Sequence, residues 1–114
     1  MEPDRARELL TRERERIESE LRALRGDRGE ELSAVDQHTA DAGSELFENE
    51  RDQSVIDRLE RELEAIGRAE QRVEDGTYGI SVESGEPIPD ARLEAVPWAE
   101  RTAEEQGRFE PRAR

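Results

Sequence analysis

The sequence predicts a mainly α-helical protein, in which a long antiparallel coiled-coil hairpin is followed by a small module. Three observations lead to this prediction. Charged residues make up 43% of the 114 residues and hydrophobic residues only 32%, a composition that suits an elongated structure with a thin apolar seam. Two long segments carry leucine and isoleucine at helical spacing. After Gly76 this spacing stops, and short apolar runs separated by glycine and proline take over.

The first predicted helix runs from Pro3 to about residue 34, because proline suits the first turn of a helix, where its missing N–H costs nothing. Its apolar positions are Leu10, Ile17, Leu21 and Leu24. The second predicted helix runs from about residue 45 to residue 75 and stops at Asp75-Gly76, a typical C-terminal signal. Its apolar positions are Ile56, Leu59, Leu63, Ile66 and Val73.

The two apolar stripes mirror each other about residue 40. When the second segment is folded back on the first, Leu59 faces Leu21 and Leu63 faces Ile17. This match favours a hairpin within one chain, so we expect a monomer. Residues 1–75 then form the hairpin, residues 34–45 its acidic tip, and residues 76–114 a second domain.

The charge is concentrated near this tip. The net charge is -13, which argues against direct binding to nucleic acid or to an anionic membrane. Residues 31–56 hold seven acids against one arginine. The connecting segment contains Asp36, His38, Asp41 and Glu45, and it is either a solvated turn or a surface that acts on a partner. His38 could titrate near neutral pH, and metal binding by it is the less favoured possibility.

Several classes of protein are disfavoured by what the sequence lacks. No run of ~18 apolar residues could span a membrane, and the first residues have no apolar signal core, so we expect a cytoplasmic protein. The absence of cysteine excludes disulfides and thiolate metal sites. No nucleophile–base pair or glycine-rich phosphate loop is visible, so we expect no enzyme activity.

The segment after Gly76 predicts three short elements. Residues 77–82 resemble a short strand, residues 90–95 one or two helical turns, and Pro97 the beginning of a last helix that fades after Gln106. Tyr78 and Trp98 are expected to pack in this module, although Trp98 could instead contact a partner.

Four spaced motifs in this module resemble the DksA/TraR family. They are Gly76-x-Tyr78-Gly79, Gly85-x-Pro87-Ile88, Arg92-Leu93-x-Ala95 and Pro97-x-Ala99. The resemblance implies a hairpin followed by a zinc-finger module. The family's four zinc cysteines, however, fall at Ser81, Ser84, Thr102 and Glu105, which make no credible zinc site. We therefore expect a degenerate zinc-finger-like module with no metal and no other cofactor.

The resemblance also implies a function. Family members bind bacterial RNA polymerase, insert the coiled coil through its secondary channel, and use acidic residues at the tip to influence initiation during stress responses. This chain is therefore expected to be a transcription regulator whose partner is RNA polymerase. Its tip departs from the best-known D-x-x-D-x-A pattern, since only Asp41 matches an acid and Asp36 could stand in for the other. The alternative is a structural or adaptor coiled coil that kept only the scaffold.

Two further expectations come from the resemblance. Arg58 falls where the family uses an arginine in polymerase binding, although it could simply be an exposed helix residue paired with Glu62. The positions that bind guanosine tetraphosphate through basic side chains in the best-known members correspond here to Ala65, Val96 and Gln106. Since none of these is basic, we expect no such nucleotide site.

Overall fold

Two long helices and two short ones account for most of the chain. The computed structural model describes the backbone of residues 1–34 and 42–110 and the side chains of residues 1–26 and 51–110. The helices are α1 (Pro3–Ala34), α2 (Ala42–Asp75), α3 (Asp90–Ala95) and α4 (Ala103–Phe109). The predicted fold class is confirmed. Within the described ranges, no helix combines the length and hydropathy that a bilayer span requires.

The chain divides into two compact units. We call Arg14–Leu63 the hairpin unit, and Met1–Glu13 together with Glu64–Arg114 the module unit. The predicted second domain, residues 76–114, lies within the module unit, which also includes the first residues of α1 and the last turns of α2.

In the hairpin unit, α1 and α2 run antiparallel. Arg25 forms an ion pair with Glu60, and Leu21 and Leu63 line the same open surface cavity. Residue numbers therefore rise along one helix as they fall along the other. The buried side chains of this unit are Ile17, Leu21, Ile56 and Leu59, which all belong to the predicted apolar stripes. Leu24 and Leu63 are half-buried.

The module unit has two groups of buried side chains. The helical part buries Ala6, Leu9, Leu10, Ala65, Ile66, Ala69 and Val73. After α2, Ile88, Leu93 and Ala99 form a cluster against which Met1, Tyr78 and Val96 pack. This second cluster is small, so polar contacts must contribute substantially to holding the segment after Gly76 in place.

The end of α2 lies where the sequence predicts it. Gly76 has a φ of 79°, a conformation that glycine adopts without a steric penalty. Its N–H donates to the Val73 carbonyl at 3.3 Å, and the Thr77 N–H donates to the Arg72 carbonyl at 2.9 Å. These two bonds form a Schellman motif, which satisfies the last carbonyls of the helix and turns the chain sharply.

Two predictions for the segment after Gly76 are wrong. Residues 77–82 form no strand, and a single antiparallel bridge joins Ile80 to Pro87. Positive φ angles at Gly79 and Gly85 bend the backbone on both sides of this bridge. The last helix begins at Ala103 and not at Pro97, because the Glu100 carbonyl accepts the Val82 N–H at 2.9 Å and so lies outside any helix.

Candidate functional site

The positions of the family's zinc cysteines are joined by hydrogen bonds. The Ser81 hydroxyl donates to Glu105 Oε1 at 2.6 Å, and the Thr102 N–H donates to the same oxygen at 3.0 Å. Among the side chains that the structure describes, Ser81 and Glu105 are the buried polar ones, with 4% and 5% of their surface exposed. We call Ser81, Thr102 and Glu105 the polar clasp.

The turn formed by residues 81–86 is organised around Ser81. Its Oγ accepts the N–H groups of Glu83 at 3.0 Å and Ser84 at 3.2 Å. Its carbonyl accepts the Gly85 N–H at 3.0 Å, and its own N–H donates to the Glu86 carbonyl at 2.8 Å. The Ser84 Oγ accepts the Glu86 N–H at 3.2 Å. Hydrogen bonds within its own turn therefore hold Ser81 in place, in addition to its bond with Glu105.

The other half of the clasp is the start of α4. The Thr102 Oγ1 accepts the Glu105 N–H at 3.2 Å, and the Glu105 carboxylate accepts the Thr102 N–H, so the two residues form a capping box. The pKa of Glu105 is lowered to about 2, first by the Ser81 hydroxyl, and then by the Ser84 hydroxyl and the Thr102 N–H. Glu105 is therefore an anion over the physiological pH range.

The family's zinc ion does not fit these residues. Structural zinc sites use thiolates and imidazoles, which bind as anions or through a free nitrogen lone pair. Here three hydroxyls and one carboxylate occupy the four positions, and the carboxylate oxygen nearest Ser81 already accepts two hydrogen bonds. Within the part of the chain that the structure describes, no group of three or more histidines or acids could hold a metal.

Ion pairs connect the segment after Gly76 to both long helices. Glu100 accepts hydrogen bonds from Arg68 at 2.7 and 3.2 Å and from Arg72 at 3.2 Å. Arg5 of α1 forms a bidentate pair with Glu94 of α3 at 2.9 and 3.1 Å. Burial opposes ionisation of Glu100, but the two arginines lower its pKa below the ordinary value.

The side chains of the residues predicted to act at the tip lie outside the part of the chain that the structure describes. Asp36, His38 and Asp41 lie outside the described residues. Glu45 lies near the start of α2, and its side chain is also outside the described part. The role of these four residues therefore stays a prediction.

Arg58 lies in α2 and is exposed. The expected pairing with Glu62 is not present, and Arg58 has no ion-pair or hydrogen-bond partner among the described residues. Its side chain is therefore available to a partner, as far as the described contacts show. Its role in binding stays a prediction.

The three positions that correspond to the family's nucleotide site, and the two aromatic residues of the module, are all described by the structure. Ala65 is buried, Val96 packs on the Ile88 cluster, and the Gln106 amide donates to Glu110 at 2.7 Å. Tyr78 packs on the same cluster, and its hydroxyl donates to the Pro97 carbonyl at 2.8 Å. Trp98 is half-buried, so both of its predicted roles stay open.

Sequence reasoning missed two features of this site. The spacing Thr102-x-x-Glu105 is a capping-box signature, but a last helix that begins at Pro97 would place both residues inside the helix and not at its start. The pairing of Glu100 with Arg68 and Arg72 has no sequence signal, because it depends on how the loop after α3 approaches α2.

Comparison with known proteins gives a consistent result. Residues 76–111 match the family described as prokaryotic dksA/traR C4-type zinc finger. General stress protein 16O of Bacillus subtilis is 41% identical over 92 residues, which cover 80% of this chain and 56% of that protein. The RNA polymerase-binding transcription factor DksA of Caulobacter vibrioides is 43% identical over 75 residues, covering 66% and 53%. The chain thus spans about half the length of these two relatives.

A solved structure extends the similarity beyond the module. Transcription factor DksA2 from Pseudomonas aeruginosa matches with a TM-score of 0.77 and 29% sequence identity, over 93% of this chain and 81% of that chain. The family model covers the module, and this structure covers both long helices as well. The chain therefore belongs to the DksA/TraR family, as a member without the cysteines of the C4 zinc finger.

Proposed function

We propose that this protein is a transcription regulator that binds bacterial RNA polymerase, enters its secondary channel with the helical hairpin, and modulates initiation through the acidic tip. The observation that carries the proposal is the structural match to a transcription factor over 93% of the chain. The similarity to a protein named as RNA polymerase-binding supports the same partner. The net charge of -13 favours a protein surface over nucleic acid as the binding partner.

Three exposed arginines support binding along the hairpin unit. Other arginines of the chain are held in ion pairs, such as Arg12 in the module unit and Arg25 in the hairpin unit. In the hairpin unit, Arg22, Arg58 and Arg61 are exposed and have no ion-pair partner among the described residues. An unpaired guanidinium can bind a carboxylate of a partner without first breaking an internal pair.

The proposed action belongs to Asp36 and Asp41, with His38 and Glu45 as weaker candidates. Carboxylates in a connecting segment need no internal partner to stay ionised, and they can approach a basic channel wall or a cation in the polymerase. In this proposal, the arginines of the hairpin unit contribute to affinity, while the acids of the tip contribute to the effect on initiation.

The proposal is tested by measuring the affinity of the full chain for purified RNA polymerase core at several salt concentrations. Replacing Arg58→Ala should weaken binding by about tenfold, or roughly 1.4 kcal/mol, and should reduce the salt dependence. Arg12→Ala is the matched control, because it removes the same charge from an exposed ion pair with Glu8 in the module unit and should leave affinity nearly unchanged.

Three outcomes are informative. A tenfold loss for Arg58→Ala alone supports the proposed contact. Equal effects of the two variants would remove Arg58 from the binding surface while leaving polymerase binding in place. Failure of the parent chain to bind polymerase core would contradict the proposed function and favour the structural or adaptor alternative.

A further inference from the structure

The absence of the zinc cysteines raises the question of what holds the module together. In a C4 zinc finger, one ion joins four side chains from two separate chain segments. We propose that in this protein the polar clasp replaces the zinc ion, with the Glu105 carboxylate as the central acceptor that ties the turn at residues 81–86 to the start of α4. The module then folds without metal.

The first argument is that the clasp joins the same two segments as the ion. Ser81 lies in the turn and Glu105 lies in the first turn of α4, 24 residues further along the chain. Their bond of 2.6 Å is the short hydroxyl–carboxylate type, which is stronger than a bond between neutral groups. Both side chains are buried, so little water competes for this bond.

The second argument is that the Ser81 hydroxyl has no capacity left for a metal. A serine hydroxyl can donate one hydrogen bond and accept two. Ser81 donates to Glu105 and accepts the N–H groups of Glu83 and Ser84, so its capacity is fully used. A zinc ion at this oxygen would displace backbone N–H groups from their acceptor, which is costly for partly buried groups.

The third argument is that other contacts reinforce the same junction from outside. The Val82 N–H donates to the Glu100 carbonyl at 2.9 Å. Arg101 pairs with Glu83 at 3.4 Å across the same junction. The clasp therefore lies among several contacts between the two segments, and Ser81 and Glu105 are the most buried side chains of the set.

A purely local role for Glu105 is the competing explanation. The capping box needs only Thr102 and Glu105, and it would stabilise α4 even if Ser81 contributed nothing. Ser81→Ala alone also removes the acceptor of the Glu83 and Ser84 N–H groups, so the two cases are separated by comparing Ser81→Ala, Glu105→Ala and the double variant. A purely local role predicts that the two losses of stability add, whereas the clasp predicts that the double variant loses clearly less than their sum.

The experiment uses the full chain and follows thermal unfolding through the fluorescence of Trp98, the single tryptophan, which lies in the module. The parent protein should contain no bound zinc, and its Tm should not change with a chelator or with added Zn²⁺. Ser81→Ala and Glu105→Ala should each lower the Tm by roughly 5–10 °C. Glu104→Ala is the matched control, since this neighbouring acid is exposed, and it should change the Tm by less than about 2 °C.

Stoichiometric zinc in the parent protein, or a rise of its Tm with added Zn²⁺, would overturn the proposal. So would a Ser81→Ala protein as stable as the parent. If Glu105→Ala unfolds the module while the Glu104→Ala protein stays folded, the result supports the proposal, because it is an extreme case of the expected loss of stability.

A second variant tests the position of the clasp directly. A protein with Ser81→Cys, Ser84→Cys, Thr102→Cys and Glu105→Cys should bind one Zn²⁺ per chain, and its Tm should fall when a chelator is added. If this variant binds no zinc, the four positions do not converge as the clasp requires, and the proposal is wrong.

Discussion

The ion pairs of Glu100 should contribute more to stability than the similar pairs on the surface of the same unit. Glu100 and Arg72 have side chains that are only 18% and 15% exposed, and Arg72 Nη2 is buried with no hydrogen-bond partner of its own. Replacing Glu100→Gln keeps the size of the side chain and removes its charge. Arg72 is then left half-buried without a counter-charge, whereas Arg68, which is 54% exposed, can turn to solvent.

The expected change in the free energy of unfolding follows from this difference in exposure. Hydrogen bonds to charged groups contribute ~1.5–3 kcal/mol, and exposed ion pairs ~0.2–1 kcal/mol. We therefore expect Glu100→Gln to lower the free energy of unfolding by ~2 kcal/mol. The matched control is Glu94→Gln, which breaks the bidentate pair with Arg5. Because those side chains are 45% and 41% exposed, we expect a clearly smaller loss.

The assay is urea unfolding of the parent and the two variants, followed by far-UV circular dichroism and by Trp98 fluorescence. The expected loss for Glu100→Gln corresponds to a fall in Tm of about 8 °C for a chain of this size. A loss for Glu100→Gln no larger than that for Glu94→Gln would refute the reasoning, because it would show that burial does not strengthen this pair.

Three further predictions follow from other parts of the molecule. Leu21→Ala should lower the free energy of unfolding by ~2–4 kcal/mol in urea, and Leu24→Ala, at a half-buried site, should lower it clearly less. Equal losses would contradict the burial of Leu21 in the apolar seam of the hairpin. The pKa of Tyr78 is raised to about 12, mainly by burial, so the unfolded chain loses this proton first, near pH ~10. Stability should therefore fall as pH rises from about 10 to about 12, and Tyr78→Phe should abolish this part of the fall. Guanosine tetraphosphate should add nothing to the effect of this protein on a polymerase without its own nucleotide site, because the three corresponding positions carry no positive charge; synergy in a transcription assay would contradict this.

The long helices could be predicted from the sequence because their signals are local and repeated. The stripe of Leu21 and Ile17 specifies one buried face of α1, and Leu59 and Ile56 do the same for α2. The stop at Gly76 needs only one residue that tolerates a positive φ angle. Each signal acts within a few residues, so no knowledge of tertiary contacts is needed.

The module could be predicted only in part, because its contacts join residues distant in the sequence. The apolar run around Ile80 suggests a strand, but the positive φ angles at Gly79 and Gly85 reduce it to one bridge. The helical appearance after Pro97 is overridden by the hydrogen bond between Val82 and the Glu100 carbonyl. The partnership of Ser81 and Glu105 spans 24 residues, and only the family's cysteine positions indicated that these residues meet.

In the proposed function, the hairpin places an acidic tip where it changes initiation by RNA polymerase. The most direct measurement compares the parent chain with an Asp36→Asn, Asp41→Asn variant in abortive transcription by purified polymerase, at concentrations where binding of both is saturated. We expect the variant to bind with an affinity close to that of the parent and to unfold at nearly the same temperature, while its effect on initiation falls sharply. A variant that binds, folds and regulates like the parent would contradict the claim and show that the tip is a passive turn.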